Sequence, residues 1–338
     1  MCKLKGYRFV LFFSNTDYNK VVYSDFEKMD CVSLYRDFRP SNNILKALHK
    51  VHFSEKINTV YRLPFKSIWY KKLFSLEKLD KSQPLCFLFM YSFANDLRII
   101  EFIEYLKKHF PKAKFVCYYT DIISSLSPQA IVRDVVLMRK YFDLLISYDK
   151  DDATKYCLSF FPTSFSDYKV DEELTIPQKD ILFLGAAKDR WNKILNTYKY
   201  ATSCGLECDF YIYKLPKEKE VNHPGIHYIK TPMPYKEYLK HVVRSRCVLE
   251  IEQGSATGST LRNWEAINYD KYLLTDNSAI KTSPFYDEGY VRLVNPDGTF
   301  DSGRISQEYG KGNPLKETIR PVRLLEFIVG ELEREKAC

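Results

Sequence analysis

The sequence predicts an α/β protein with two open, mostly parallel sheets that are covered by helices. Three observations predict it. Short apolar runs alternate with helical apolar spacing in both halves of the chain. A polar stretch with two prolines, residues 161–178, separates the halves. The chain has 338 residues, 45% of them hydrophobic and 28% charged, which is a globular composition and more chain than one core usually needs.

The N-terminal half alternates strands and helices. Its predicted strands are Tyr7–Phe13, Cys31–Tyr35, Leu85–Tyr91, Lys114–Tyr119 and Asp143–Ser147. A helix is predicted over Asn42–His52 from its apolar spacing, with Ser41 as its N-cap. A second helix is predicted over Asn95–His109, and Pro111 stops it. This alternation predicts a parallel sheet with helices on its faces.

The C-terminal half repeats the alternation. Its predicted strands are Asp180–Leu184, Cys208–Tyr213, His227–Ile229, Cys247–Ile251 and Lys271–Thr275, and its predicted helices are Trp191–Cys204, Tyr235–Arg244, Leu261–Asn268 and Pro321–Arg334. Gly185 is predicted to turn the chain after the first of these strands. The predicted division is an N-terminal domain 1–165, a linker 166–178, a C-terminal domain 179–317 and a last helix in 318–338.

Charge and cysteine content narrow the possible partners and the compartment. The formal net charge of +8 suits an anionic substrate or an anionic membrane surface. The lysines are spread along the chain, so no nucleic-acid partner is expected. Nine cysteines, several of them inside apolar runs, favour a reduced, cytoplasmic setting. The longest apolar run, residues 84–94, is half of the ~20 residues that a membrane helix needs.

The stretch GSATGSTLRNWEAI, residues 254–267, lies between two predicted strands. A glycine-rich turn that opens a helix points backbone N–H groups and the helix dipole at one place, which attracts phosphate. Gly258 would allow a close approach, while Ser259 and Thr260 add hydroxyl groups and can cap the helix. Arg262 offers a guanidinium group that can bind phosphate through two N–H groups. The Glu265 carboxylate can accept hydrogen bonds from two ribose hydroxyls. An ordinary turn with a helix cap is the alternative.

The stretch FLGAAKDRW, residues 183–191, is a second candidate. Lys188 and Arg190 follow a strand and stand at the start of a helix, where cations can clamp a diphosphate. Two solvated charges beside a turn are the alternative. Ligands of open α/β sheets bind beyond the carboxyl ends of the strands, where Gly185 and the 254–260 loop are expected.

These stretches, with TPMPYKEYLKHVVRSRCVLEI and KYLLTDN, resemble the C-terminal domain of bacterial GT-B glycosyltransferases, most of which build capsule, lipopolysaccharide and other surface glycans. The resemblance covers residues 180–280 and is only architectural before them. It implies two Rossmann-like domains facing across a cleft, with the C-terminal helix crossing back to the N-terminal domain. The resemblance implies a nucleotide-sugar donor, and a UDP-linked sugar is expected. No cofactor is expected.

The resemblance also assigns residues. The glutamate of the "EA" pair usually holds the ribose, which is Glu265 here. Small residues before it contact the pyrophosphate, which implies Gly258, Ser259 and Thr260. Leu261 and Arg262 are also expected at the donor site. The basic pair that follows the first strand of this domain in the family corresponds to Lys188 and Arg190. Gly185, just before them, is also implied at the donor site. The loop before the Tyr235 helix usually lies near the base, which implies Met233 and Tyr235.

One departure concerns stereochemistry. Many retaining members carry a second glutamate eight positions before the "EA" glutamate, and Thr257 stands there instead. Inversion or retention is therefore open. An inverting enzyme needs a general base, for which Asp121 after the strand KFVCYYT is the first candidate, Asp17 the second and Asp96 the third. We expect Arg190→Ala and Glu265→Ala each to reduce turnover strongly without unfolding the protein.

Three further functional classes stay open. Asp149 and Asp151 in YDKDD match the D-x-D metal site of GT-A glycosyltransferases, although an aspartate-rich helix N-terminus is favoured. A sugar-nucleotide epimerase would share the two-domain build, and a non-enzymatic protein would bind a nucleotide or a glycan without turnover. The expected enzyme is a metal-independent hexosyltransferase. Its acceptor is a glycan or a lipid-linked glycan.

The stretch FKSIWYKKLF, residues 65–74, mixes bulky apolar and basic residues. It suits a contact with an anionic membrane that carries a lipid-linked acceptor. A loop packed on the first domain is the favoured alternative. The expected location is the cytoplasm, with peripheral contact at the inner face of the cell membrane.

Overall fold

The computed structural model describes residues 6–36, 39–61, 63–94, 99–127, 130–171, 175–252, 260–303, 305 and 312–337. The described residues form two compact units. Unit 1 takes its residues from Met1–Asn19, Ser24–Pro162 and Pro321–Cys338, and unit 2 from Lys20–Tyr23 and Thr163–Arg320. Each unit is built on one parallel six-stranded sheet, which confirms the predicted α/β class.

The sheet of unit 1 has the order β2-β1-β3-β4-β5-β6. Its strands are β1 Arg8–Phe12, β2 Val32–Tyr35, β3 Leu85–Met90, β4 Lys114–Tyr119, β5 Leu144–Ser147 and β6 Ser159–Phe160. All six residues of β3 are buried, as expected of a central strand that helices cover on both faces. The helices of this part of the chain are α1 Asp17–Val22, α2 Asn43–His52, α3 Glu55–Val60, α4 Ser67–Leu73, α5 Tyr91–Ala94, α6 Ile99–His109, α7 Val135–Met138 and α8 Lys150–Lys155.

The sheet of unit 2 has the order β12-β11-β10-β7-β8-β9. Its strands are β7 Lys179–Ala186, β8 Cys208–Tyr213, β9 Ile226–Tyr228, β10 Ser245–Glu250, β11 Tyr272–Thr275 and β12 Val291–Leu293. The later helices of the chain are α9 Trp191–Ser203, α10 Tyr235–Val243, α11 Leu261–Asn268 and α12 Pro321–Ala337. Because β7 and β10 are parallel neighbours, their carboxyl ends meet at one edge of the sheet.

The last helix, α12, returns to unit 1, as predicted. Glu331 on α12 accepts a 2.5 Å hydrogen bond from the Ser159 hydroxyl on β6. The Phe327 ring packs 5.1 Å from the Phe161 ring, measured between centroids. One polar and one aromatic contact therefore hold the end of the chain against the edge of the first sheet.

Local details differ from the predictions at three places. The N-cap of α2 is Asn42, not Ser41, and its side chain accepts from the N–H groups of Ile44 and Leu45. Gly185 does not turn the chain; it lies inside β7, which continues to Ala186. The stretch 65–74 is not a loop but contains α4, which buries Trp69 and Tyr70.

The cysteines inside apolar runs are buried. Cys86, Cys117 and Cys247 have no exposed surface, and burial raises the pKa of each thiol. Such thiols pack as small apolar side chains. Among the helices that the structure describes, none is long and apolar enough to span a membrane.

Candidate functional site

Arg190 lies at the carboxyl edge of the second sheet. A short 3-10 turn, Lys188–Arg190, follows β7 and leads directly into α9, so the predicted position of the basic pair is confirmed. The Arg190 guanidinium turns back and donates to the carbonyl of Ala186 at 3.1 Å and to the carbonyl of Ile251. It therefore bridges the ends of β7 and β10.

Lys188 is exposed and adopts φ +45°, in the left-handed region that non-glycine residues rarely enter. A residue held there costs roughly 1–3 kcal/mol, and such residues occur often at functional sites. The 3-10 turn before α9 therefore begins with a residue in a rarely populated backbone conformation. Its role toward a diphosphate stays a prediction.

Gly185 leaves room for Arg190. A Cβ atom added at Gly185 would lie 2.7 Å from Nη2 of Arg190 and 2.9 Å from a ring carbon of Phe183. The guanidinium also lies over the Phe183 ring, 5.5 Å from its centroid. The glycine therefore gives the guanidinium room to approach β7 and does not serve a turn, which is the physical reason for the correction above.

Thr260 caps α11, as predicted. Its hydroxyl oxygen accepts from the Arg262 N–H at 3.2 Å. The same hydroxyl donates to Glu250 at the end of β10, and Thr275 on β11 donates to the other Glu250 oxygen at 2.5 Å. Burial raises the pKa of Glu250, while these two hydroxyls and Arg262 act in the opposite direction. Glu250 thus fixes the start of α11 against two strands.

Glu265 is completely buried and fully engaged. Its carboxylate accepts from the Tyr235 hydroxyl at 2.9 Å and from the Tyr238 hydroxyl at 2.7 Å. Arg262 donates to both of its oxygens, at 3.1 and 3.0 Å. A ribose hydroxyl would have to replace one of these donors. The contact between Glu265 and a ribose stays a prediction. Tyr235, which the resemblance implies near the nucleotide base, contacts Glu265 in this structure. Its contact with the nucleotide base also stays a prediction.

Arg262 lies between Glu265 and the end of β7. It donates to the Leu184 carbonyl at 3.0 Å and packs over the Tyr238 ring, 4.5 Å from the centroid. Burial acts to lower its pKa, but Glu265 and the neighbouring tyrosines raise the pKa above its ordinary value. Arg262 is thus a fixed, permanent cation.

The second cation, Arg190, lacks a carboxylate contact among the residues that the structure describes. Burial lowers its pKa and the charge of Arg262 lowers it further, while Tyr213, Asp189 and Asp276 act in the opposite direction. Two guanidinium groups therefore repel each other at the edge formed by β7 and β10. An anion bound there would relieve this repulsion, as a diphosphate would.

A cluster of charged residues that the sequence prediction missed lies at the carboxyl ends of β10 and β11. Glu252 follows β10, and its N–H donates to Asp276 at 2.8 Å, while Lys193 donates to the other Asp276 oxygen at 2.7 Å. Burial, with Glu250 and Asp276 nearby, raises the pKa of Glu252 to about 8. Only the fold brings these residues together, since Lys193 lies on α9 and Asp276 follows β11.

The raised pKa of Glu252 predicts that the stability of the folded protein depends on pH. The ordinary pKa of Glu252 is 4.5 and the folded value is about 8, so the folded protein binds this proton more tightly than the unfolded chain does. Stability is then lost as pH rises from 4.5 to about 8. We expect Glu252→Gln to reduce the fall in melting temperature between about pH 5 and about pH 8. Equal slopes for the wild type, Glu252→Gln and the exposed control Glu218→Gln would contradict this assignment.

The two candidate bases of unit 1 have different surroundings. Asp121 follows β4, is half-buried, and accepts from the Tyr91 hydroxyl at 3.1 Å and from the Ile122 N–H at 2.9 Å. Burial and Asp121 together raise the pKa of Tyr91 to about 12. Asp17 is exposed at the first turn of α1. Both stay predictions.

Asp149 caps helix α8, which is the alternative that the sequence favours over a metal site. Its carboxylate accepts from the Asp152 N–H at 2.8 Å at the start of α8, and it is 3% exposed. Asp152 in turn accepts from the Ile123 N–H at 2.6 Å. Asp149 and Asp152 thus satisfy backbone donors. Within the described residues no set of three His, Cys, Asp or Glu side chains has a metal-binding arrangement.

Several predicted donor residues are not brought into a described contact. Gly258 and Ser259, like the candidate base Asp96, lie outside the described residues. Met233 is half-buried just before α10, and Leu261 is half-buried at the first position of α11. Their assignment to the donor stays a prediction.

Comparison with known proteins supports the fold and no closer relationship. No family model matches the chain, and no curated protein matches it. Among solved structures it is similar to an α,α-trehalose 6-phosphate synthase from Burkholderia multivorans, with 10% identity, a TM-score of 0.52, and 98% of this chain and 97% of that chain covered.

A second similar structure is a UDP-forming α,α-trehalose-phosphate synthase from Burkholderia vietnamiensis. Its TM-score is 0.53 at 10% identity, and 96% of each chain is covered. At this identity the likeness concerns the fold alone. The two-domain, Rossmann-like α/β fold of GT-B type is thereby confirmed.

Proposed function

We propose that this protein is a glycosyltransferase that uses a nucleotide-sugar donor. The observation that carries the proposal is Arg190, a half-buried cation without a described carboxylate contact, held beside Arg262 at the carboxyl ends of β7 and β10. Ligands of open α/β sheets bind at such an edge. The similar folds belong to proteins named as trehalose-phosphate synthases, one of them UDP-forming, and they support the same class.

The proposed chemistry follows from the charges. In glycosyl transfer the bond between the anomeric carbon and the diphosphate oxygen breaks, and the diphosphate leaves with the electron pair. Arg190, Arg262 and Lys188 would stabilise the charge that develops on it. The acceptor hydroxyl forms the new bond, and its proton passes to a base, for which Asp121 is the first candidate and Asp17 the second.

The finer parts of the proposal rest on the sequence resemblance. They are a UDP-linked hexose donor, catalysis without a metal, and a glycan or lipid-linked glycan acceptor in surface polysaccharide synthesis. A cytoplasmic protein with peripheral contact at an anionic membrane belongs to the same proposal.

The test is a thermal-shift panel of UDP, GDP and ADP with CMP as control, each with and without a chelator. A ligand that binds only the folded protein raises its melting temperature by mass action. A selective shift with UDP that the chelator leaves unchanged is the expected result. A shift that requires metal would instead favour Asp149 and Asp151, and no shift with any nucleotide would overturn the proposal.

A further inference from the structure

Helix α2 carries its apolar stripe on the outside. Ile44, Leu48 and Val51 are spaced four and three residues apart and therefore share one face of the helix. They are 73%, 55% and 54% exposed. No residue of α2 is buried. A surface helix of a folded domain normally turns such a stripe inward, so α2 presents to solvent the face that usually packs.

The inward face of α2 is polar and aromatic instead. His49 stacks on Phe53 with ring centroids 4.3 Å apart and meets Trp69 edge-on at 5.0 Å. Nδ1 of His52 accepts from the Trp69 indole N–H at 2.9 Å, and its Nε2 lies 2.7 Å from the Pro64 carbonyl. These contacts fix the rotation of α2, so the outward stripe is a built feature of the fold.

The exposed apolar surface continues along the chain. Eight of the ten large hydrophobic side chains exposed among the described residues fall within residues 44–68. Besides the α2 stripe they are Ile57, Val60, Tyr61, Phe65 and Ile68. Asn58 on α3 donates to the His52 carbonyl at 3.0 Å, and His52 contacts Trp69 on α4. Hydrogen bonds therefore join the three helices that carry six of these eight side chains, and Tyr61 and Phe65 lie between α3 and α4.

The same segment is strongly basic. Residues 43–73 contain seven lysines and arginines and a single glutamate, while the whole chain has a net charge of +8. Lys46 and Lys50 lie on α2, Lys56 on α3, and Lys71 and Lys72 on α4, all of them exposed. Exposed apolar side chains among lysines are the composition of helices that lie in the interface of an anionic bilayer.

We propose that residues 43–73 form a docking surface for an anionic lipid membrane. In this arrangement Ile44, Leu48 and Val51 enter the boundary between headgroups and acyl chains, and the lysines contact the lipid phosphates. The inference deepens the proposed function, since it assigns the surface that would bring the enzyme to a lipid-linked acceptor. Its test requires no sugar transfer, so the two proposals can fail separately.

The charge argues for a membrane rather than a second copy of the chain. Two copies joined through this surface would bring the five exposed lysines of one copy against the same five of the other. Like charges across an interface oppose association. An anionic bilayer instead supplies the opposite charge over the whole segment, and each basic residue near the surface strengthens binding about fivefold.

The experiment is flotation of the full chain with vesicles of phosphatidylcholine alone and of phosphatidylcholine mixed with phosphatidylglycerol. We expect binding to the anionic vesicles only. Ile44→Ser/Leu48→Ser should lower the bound fraction by about tenfold or more, because it removes two of the apolar side chains that enter the bilayer. Val136→Ser, which removes an apolar side chain that is 72% exposed on α7, should leave binding unchanged.

The contribution of the lysines to membrane binding is tested with a second variant and its matched control. Lys46→Gln/Lys50→Gln should weaken binding by about fivefold per lysine, whereas Lys217→Gln/Lys219→Gln, exposed lysines of unit 2, should not. Unchanged melting temperatures would show that the variants fold. Equal binding to both vesicle types, or loss in the control variants, would overturn the proposal. A concentration-dependent dimer in sedimentation velocity that Ile44→Ser/Leu48→Ser abolishes would also overturn it, in favour of a second copy.

Discussion

Arg190→Ala is expected to lower donor turnover by about 10²–10³-fold, the loss typical of removing one preorganised donor to a developing negative charge. The Arg190 guanidinium already lies in place, held by the carbonyls of Ala186 and Ile251. Because its described contacts include no carboxylate, its charge remains available to a diphosphate. The affinity for UDP should fall together with turnover, since both depend on the same charge.

The measurement is the affinity for UDP by calorimetry, together with consumption of the nucleotide sugar. Arg190→Lys should recover part of the loss, because it keeps the charge and loses the planar fork. The matched control is Arg292→Ala on the edge strand β12. Arg292 also donates to two backbone carbonyls and lies over an aromatic ring, that of Tyr272. Wild-type UDP affinity in Arg190→Ala would remove Arg190 from the donor site.

Glu265→Ala is expected to destabilise the protein by about 3–5 kcal/mol, the usual cost of leaving a buried charge without its partner. The Arg262 guanidinium would lose its carboxylate partner, and the hydroxyls of Tyr235 and Tyr238 would lose their described acceptor. This differs from the expectation drawn from the sequence, in which Glu265→Ala affects turnover without unfolding. The complete burial of Glu265 is the physical reason for the change.

Chemical denaturation provides the measurement. Removing both charges, in Arg262→Met/Glu265→Leu, should cost less than the two single substitutions together, because no unpaired ion remains buried. Glu218→Ala, at an exposed position, should change stability by less than about 0.5 kcal/mol. A Glu265→Ala protein as stable as the wild type would show that the carboxylate is free for a ligand and would return it to the ribose role.

The local order of strands and helices was predictable because it depends on short-range patterns. Leu261–Asn268 was predicted with the bounds that the structure has, since a capping threonine and an apolar face define it. β3 was predicted from its unbroken apolar run. The edge strands β6 and β12 were missed because two or three residues carry little pattern, although β9, which is as short, was predicted.

The candidate site was predictable only in part. Lys188 and Arg190 follow a strand in the sequence, so their place at the sheet edge followed from the α/β pattern. The contacts of Arg190 did not, because Ile251 comes from another strand. Glu252, Lys193 and Asp276 gave no sequence signal, because they are brought together by three elements far apart in the chain.

The sequence by itself determined that this protein has two parallel α/β units, that cations follow β7, and that α2 is an amphipathic helix. These features depend on the periodicity of neighbouring residues. Only the tertiary structure decided that the partners of Glu265 come from the protein itself and that the apolar stripe of α2 faces outward. Periodicity defines a face, but the rotation of a helix and the pairing of a buried charge depend on side chains supplied by distant elements.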